Sequence, residues 1–187
     1  MSIMPMICLV NGGYLNKSTT DIQILELDTE NLNNQDKVNL CLDIYNNSIG
    51  DKFLPHVPAY IKDWYEVLDN KGVDWSCWKV LVSESKIIGF YLLVGNVDSK
   101  KGLLQLFAID TNFQGNGFGR LLLEDCLNKM DELECKYKIA FAKRDMKDTI
   151  AFYQKVWGKV DFNKNMLDEY GDHIVEINFN RRPKMQK

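Results

Sequence analysis

The segment Phe107-Ala-Ile-Asp-Thr-Asn-Phe-Gln114-Gly115-Asn116-Gly117-Phe118-Gly119-Arg120 constrains this chain more than any other. The run from Leu103 to Ile109 is apolar and strand-like, and it feeds straight into a turn with glycine at 115, 117 and 119. From Phe118 the apolar residues Leu121, Leu122, Cys126, Leu127, Met130 and Leu133 recur at helical spacing, and a helix is expected to end near Cys135. Lys138 to Ala142 then alternates as a strand again, so the segment is a strand-turn-helix-strand crossover, a unit that needs a sheet with helices packed on it. Glycines at these positions allow φ > 0 and a close approach, so backbone N–H groups and the helix start can converge on an anion such as pyrophosphate.

The rest of the chain supplies more of the same layers. Ile22 to Leu27 alternates as a first strand and an Asn-rich stretch (Asn31, Asn33, Asn34) follows as a loop. Val38, Leu40, Cys41, Ile44 and Tyr45 recur at helical spacing, as do Ile61, Trp64, Tyr65 and Leu68, with Pro55 and Pro58 between them. Trp78 to Val82 and Ile87 to Val94 read as a hairpin across Ser-Glu-Ser-Lys. A second amphipathic helix is expected over Lys147 to Trp157, and strands around Val160 and from His173 to Phe179 close the sheet. The fold class is therefore mixed α/β. Residues 1–20 read as an irregular extension, 21–180 as one domain, and 181–187 as a basic tail whose Arg181, Arg182, Lys184 and Lys187 are expected to be solvated.

Composition narrows the function classes. With 187 residues, 45% hydrophobic and 26% charged, the chain is an ordinary globular domain. A net charge of -3 gives no general attraction for nucleic acid or anionic membranes, and suits a cationic small partner better. The five cysteines are scattered without a CxxC pair, which indicates neither a disulfide framework nor a zinc site and fits a reducing, cytoplasmic setting. No signal segment or membrane span is read, and the sequence is compatible with a homodimer.

The glycine turn does not suit two familiar phosphate loops. A dinucleotide fold wants G-x-G-x-x-G after its first strand, whereas here the spacing is G-x-G-x-G past mid-chain, and no Gly-Lys-Ser/Thr tripeptide for a P-loop occurs. Gln114-x-x-Gly117-x-Gly119, with Ile109 five residues before it and Arg120-Leu-Leu after it, instead resembles the acetyl-CoA-binding signature of the GNAT N-acetyltransferase superfamily. Ala151-Phe152-Tyr153-Gln154-Lys155 is similar to that family's helix with a tyrosine near the CoA sulfur. The resemblance implies a central mixed, mostly antiparallel sheet of six to seven strands with helices on both faces. It also implies acetyl-CoA as donor, no metal, and a strand whose open edge, through Phe107, Ala108 and Ile109, bonds the pantetheine arm. Gln114, Gly115, Asn116, Gly117, Phe118, Gly119 and Arg120 would hold the pyrophosphate, although Phe118 reads more as core than as contact. Three positions depart from the family pattern: Trp157 where glycine often closes the tyrosine helix, with Gly158 one later, Met146 for an asparagine, and Thr111 for a proline.

Transfer of an acetyl group to an amine requires that a proton leave the ammonium, at a cost of about 4–5 kcal/mol for a pKa near 10.4 at pH 7. The strand Leu103, Leu104, Gln105, Leu106 has no carboxylate where relatives often carry the base. Asp110, Asp168, Glu169, Asp172, His56 in the Pro-rich link, His173 and water remain open as alternatives. Tyr153 is the catalytic candidate, as a phenol that protonates the departing thiolate. Trp64, Tyr65, Trp75 and Trp78 either line a cation-accepting pocket or, as the spacing favours, pack in the core. The leading expectation is an acetyl-CoA-dependent N-acetyltransferase acting on a primary amine of a small molecule or protein by direct attack in a ternary complex. The alternative is a non-catalytic acyl-CoA-binding regulatory module.

Overall fold

The computed structural model describes residues 22–27, 35–49, 73–156, 158–167 and 171–180. Residues 1–20, the Asn-rich loop, the helix expected over 61–68 with Trp64 and Tyr65, His56, Trp157, Asp168, Glu169 and the basic tail lie outside the described residues. The described chain runs β1 (Ile22–Glu26), α1 (Gln35–Ile49), β2 (Trp75–Ser83), β3 (Lys86–Asn96), β4 (Lys101–Ile109), a 3-10 turn (Thr111–Phe113), α2 (Phe118–Glu132), β5 (Tyr137–Lys143), α3 (Lys147–Lys155), β6 (Lys159–Leu167) and β7 (His173–Asn178). The strands form one seven-stranded sheet in the order β1-β2-β3-β4-β5-β7-β6. Among the described strands only β4 and β5 pair in parallel; the other neighbours are antiparallel.

Helices cover both faces. Val38, Cys41, Leu42 and Tyr45 of α1 pack on Trp78, Val80, Phe90, Leu92, Leu106 and Ala108. On the other face Leu122, Leu123, Cys126, Leu127 and Met130 of α2, with Ile150 and Tyr153 of α3, pack on Leu81, Tyr91, Leu93, Leu104 and Ile109. Each fully buried side chain of this kind contributes about 1.5–3 kcal/mol, so α2 is held mainly by its packing and not by its glycine-rich start. Two helix positions differ from the sequence expectation. Leu40 and Leu121 are exposed, at 37% and 41%, and Leu42 and Leu123 take the inward places instead. At 3.6 residues per turn, residues two apart lie about 200° round the helix, so each pair sits on opposite sides and the sheet decides which side turns in.

The β2–β3 hairpin closes through Glu84 and Ser85, both at positive φ (50° and 64°), the turn geometry whose twist matches that of the flanking strands. Just past the end of α2, Glu134 is again left-handed (φ 55°), and the Cys135 N–H bonds the Met130 carbonyl at 2.9 Å.

β4 carries an irregularity that period-2 reading does not show. Leu92 pairs with Leu106 and Leu93 with Leu104, so Gln105 has no partner on β3 and forms a bulge. Leu104, Phe107 and Ile109 thereby face α2 and α3, while Leu103, Leu106 and Ala108 face α1. Pairing of β4 with β5 stops at Leu104 and Ala140, one residue before the bulge. Beyond that point β4 continues along β3 to Ile109 and β5 continues along β7 to Lys143, so the two parallel strands part and leave a wedge.

Candidate active site

The wedge leads into the glycine turn, which its own side chains brace. Gln114 Nε2 donates to the Ile109 carbonyl at 3.0 Å, closing the loop back onto the strand end. Asn116 Nδ2 donates to the carbonyls of Phe113 and Gln114, each at 3.2 Å. Asp110 accepts from the Asn112 N–H at 2.9 Å and caps the 3-10 turn that Thr111 begins. Gly115 and Gly117 both sit at positive φ (78° and 85°), and a Cβ placed on either would meet nothing within 4 Å. Conformation, and open space beside the backbone, are what these two glycines provide. Gly119 differs from the sequence expectation: it is helical, and a Cβ there would lie 3.3 Å from the Phe152 ring, so this glycine serves the contact between α2 and α3.

The start of α2 is suited to an anion. Its first intrahelical bond runs from Leu121 N–H to the Gly117 carbonyl at 3.1 Å, and no acidic residue occupies its first turn. The partial positive charge of a helix N-terminus, roughly half a unit, is therefore not offset by a carboxylate in that turn. The Arg120 side chain is exposed and bonds Glu124 at 3.1 Å, a surface i,i+4 pair of about 0.3–0.5 kcal/mol that a phosphate could readily displace.

Opposite the wedge, α3 presents Tyr153. It is 5% exposed, and its ring lies 6.3 Å from Phe107, 5.3 Å from Phe152 and 5.6 Å edge-on from Phe179. Phe107 and Phe152 stack at 5.9 Å, so the residue after the bulge region of β4 and the helix with the tyrosine share one aromatic cluster. The Tyr153 hydroxyl has no hydrogen-bond partner among the described residues, an uncommon state for a buried phenol. Burial pushes its pKa well above the usual 10.0, with smaller contributions from Cys126 and Tyr45. It is a proton donor at working pH and cannot serve as a base.

α3 starts at Met146 without a side-chain cap, so the polar group an asparagine would offer is missing. The helix ends with the Gly158 N–H on the Tyr153 carbonyl at 2.7 Å; a Cβ at Gly158 would lie 2.6 Å from Ile177 Cγ2. The closing glycine thus works one residue later, bonded to the backbone of the tyrosine itself.

Of the base candidates within the described residues, the two carboxylates are engaged elsewhere. Asp110 caps its turn and lies 3.9 Å from Lys86, and Asp172 pairs with Lys143. His173 opens β7 on the surface and its carbonyl accepts the Arg144 N–H at 2.9 Å. Trp75 and Trp78 do not share a pocket, because Trp75 packs on the α2 face over Gly95 and Trp78 stacks on Phe90 at 5.7 Å on the α1 face. Cys41, Cys77, Cys126 and Cys135 are buried free thiols, and burial pushes Cys41 up to about 12 and Cys77 up to about 11, so none is a ready nucleophile.

Sequence reasoning missed a polar pin under α2. Asp125 accepts from Lys79 Nζ at 3.0 Å and from the Tyr91 hydroxyl at 2.8 Å, tying the helix that begins at the glycine turn to β2 and β3. The available signal was Lys79, a lone charge inside the apolar run Trp78 to Val82.

A parallel pair that parts ahead of a glycine turn and a helix start agrees with the open strand edge that the resemblance implied; the bulge beside it was not read from the sequence. Residues 39–158 match the acetyltransferase (GNAT) family. The chain belongs to the GNAT acetyltransferase family. No curated protein matches it by sequence. Among solved structures, a GNAT-family acetyltransferase from Staphylococcus aureus Mu50 is similar with a TM-score of 0.63 at 14% identity, over 84% of this chain and 99% of that one. PaiA N-acetyltransferase from Thermoplasma acidophilum, solved with coenzyme A, has a TM-score of 0.59 at 18% identity, over 85% and 99%. The ribosomal-protein-S18-alanine N-acetyltransferase of Escherichia coli has a TM-score of 0.59 at 16% identity, over 89% and 99%. At these identities the likeness establishes a shared fold, and the GNAT chain's own residues must carry any finer statement.

Proposed function

We propose that this protein is an acetyl-CoA-dependent N-acetyltransferase that moves an acetyl group to a primary amine in a ternary complex. The observation that carries the reading is the buried hydroxyl of Tyr153, unpartnered among the described residues, beside Phe107, whose strand has just lost its neighbour. In this reading the β4 edge over Phe107, Ala108 and Ile109 bonds the pantetheine arm, and the backbone from Gln114 to Arg120 receives the pyrophosphate. The open space at Gly115 and Gly117 and the acid-free helix start fit that group. The related PaiA enzyme was solved with coenzyme A, which agrees with the assignment.

The amine nitrogen forms a bond to the acetyl carbon as the carbon–sulfur bond breaks. Tyr153 donates its proton to the leaving thiolate and recovers one from solvent, and the proton of the incoming ammonium leaves through water. Among the described residues Asp110 and Asp172 are engaged, and in this reading water takes the proton. Tyr153 is suited to its task because burial keeps the phenol protonated while no described residue competes for the hydroxyl. A cytoplasmic setting accords with the buried free thiols.

The lack of a carboxylate on β4 supports a second reading, a module that binds acyl-CoA without turnover. Thiol release from acetyl-CoA, followed across a panel of primary amines, separates the two. Release that depends on amine supports transfer; tight CoA binding with no release on any amine overturns it.

A further inference from the structure

A second tyrosine is buried beside the wedge, on the face away from Tyr153. The ring of Tyr45 in α1 lies 6.5 Å from that of Phe90 on β3, and Phe90 pairs with Ala108 of β4. Tyr45, Phe90, Leu106 and Ala108 share the cluster under α1, and α1 follows β4 as far as the 3-10 turn at Thr111–Phe113. On the other face the Tyr153 ring lies 6.3 Å from Phe107. Phe107 and Ala108 are consecutive, so their side chains leave β4 on opposite faces. Both lie beyond Leu104, where pairing with β5 ends. Two buried phenols therefore flank the same two residues of the open edge, one from each face.

Past Ala140, β5 stays with β7, and among the described residues no strand is hydrogen-bonded to β4 on that side from Gln105 to Ile109. The two faces of the sheet are open to each other there. In keeping with that opening, Tyr45 is one of the groups that raise the pKa of Tyr153, so the two phenols are within electrostatic reach of each other. Burial pushes Tyr45 itself well above the usual 10.0 and keeps its hydroxyl protonated. Such a hydroxyl is no base, yet its oxygen retains lone pairs that accept an N–H. The turn that carries it is tied by Ser48 Oγ, which donates to the Tyr45 carbonyl at 3.0 Å.

We propose that Tyr45 binds the acceptor: its hydroxyl oxygen accepts a hydrogen bond from the attacking nitrogen and holds that nitrogen on the α1 side of the β4 edge. The assignment rests on the N-acetyltransferase reading and gives the acceptor a place in it. The helix start assigned to the pyrophosphate and the tyrosine assigned to the sulfur both belong to the α2–α3 face, so the donor fills that side. A thioester along Phe107, Ala108 and Ile109 then leaves its acetyl group open to a nucleophile from the α1 face, where Tyr45 stands. A primary amine that has lost its extra proton to water keeps N–H groups for the phenol oxygen while its lone pair points at the acetyl carbon. A neutral oxygen suits this step better than a carboxylate, whose charge would favour the ammonium and hold back the reactive amine.

Tyr45→Phe keeps the ring beside Phe90 and removes only the hydroxyl. Full-length parent and variant are assayed for thiol release from acetyl-CoA with phenethylamine, histamine, cadaverine, lysine and a short peptide with a free N-terminus, well below both melting midpoints so that stability does not enter. For each amine turned over, the variant is expected to raise the KM of the amine by about 5- to 30-fold, the loss of one hydrogen bond, with the KM of acetyl-CoA within twofold of the parent. A packing role would move both constants together or neither. An unchanged amine KM, or a rise that acetyl-CoA shares, overturns the proposal. Should no amine be turned over, the N-acetyltransferase reading fails by itself, and calorimetry of the same five amines into the CoA-loaded protein decides the site. Binding that Tyr45→Phe weakens by about the same factor upholds it; no binding, or binding that the variant retains, overturns it.

Discussion

Replacing Gly117 separates backbone conformation from charge at the proposed pyrophosphate site. Gly117 is left-handed, with φ at 85°, and a Cβ there meets nothing within 4 Å, so a side chain costs strain but no collision. Asn and Asp are the residues that best tolerate this region, at roughly 1 kcal/mol each, and they have the same shape. Gly117→Asn and Gly117→Asp are therefore expected to melt within a few degrees of the parent and of each other, since about 1 kcal/mol corresponds to roughly 2–4 °C for a chain of this size. Their affinities for CoA should differ widely. A carboxylate about 5 Å from a pyrophosphate of charge about -2 is repelled by roughly 1.7–3.3 kcal/mol at an effective dielectric of about 40–80, or about 15- to 250-fold in affinity. Added salt screens that repulsion, so the gap should narrow between about 0.05 and 0.5 M. Calorimetric titration with CoA at both salt concentrations measures it. Affinities within twofold for the Asn and Asp variants, both folded, would refute placement of the pyrophosphate at this helix start. A large fall in melting temperature for both would refute the inference of open space.

Tyr153→Phe should lower kcat by about 10²–10⁴-fold with little change in KM for acetyl-CoA, because the ring and its packing remain and only the proton donor is lost; a kcat within threefold of the parent removes Tyr153 as the acid. Burial holds that phenol protonated above its usual 10.0, so the ratio of parent to variant rates should stay level from about pH 6 to pH 9. Gly119→Val should cost about 1–3 kcal/mol in urea unfolding, since a Cβ already lies 3.3 Å from the Phe152 ring and branching adds more atoms; an unchanged midpoint contradicts the packing role. For Lys79, burial pulls the ammonium down, but the hydrogen bond and charge of Asp125 outweigh it and raise the pKa above 10.5. That contribution is present below the unfolded value and is lost as pH rises through the folded one, so the parent should exceed Asp125→Asn in melting temperature at pH 8 and lose its lead above pH 10.5.

Much of the fold was legible because its signals are local. The alternation of Ile22 to Leu27, the hairpin around Glu84-Ser85 and the helical spacing after Phe118 each place an element within a few residues of where it lies. The glycine turn and the tyrosine helix were readable for the same reason: φ > 0 at 115 and 117, and a helix closing near Gly158, are demands met by single residues. Gly119 shows the limit. In sequence it is the third glycine of a turn, whereas in the fold it is the position where Phe152, 33 residues on, needs room.

What the chain determined by itself is the alphabet of elements, the two-faced apolar patterning, and a backbone that can approach an anion, all set by periodicity and by the conformations single residues allow. Tertiary structure decided the site. Nothing near Gln105 marks it as the bulge, because a bulge is a mismatch of register between strands, visible only where Leu92 meets Leu106 and Leu93 meets Leu104. The wedge exists because β4 stays with β3 while β5 stays with β7, a contest between partners far apart in sequence. Tyr91 and Asp125, 34 residues apart, and Lys79 and Asp125, 46 apart, find each other only once α2 lies on the sheet. Tyr45 and Tyr153 flank one stretch of β4 only because α1 and α3 pack on opposite faces of the sheet. Local order follows from the energy of a residue in its own backbone; a site is built from contacts whose partners the chain does not bring together until the sheet has closed.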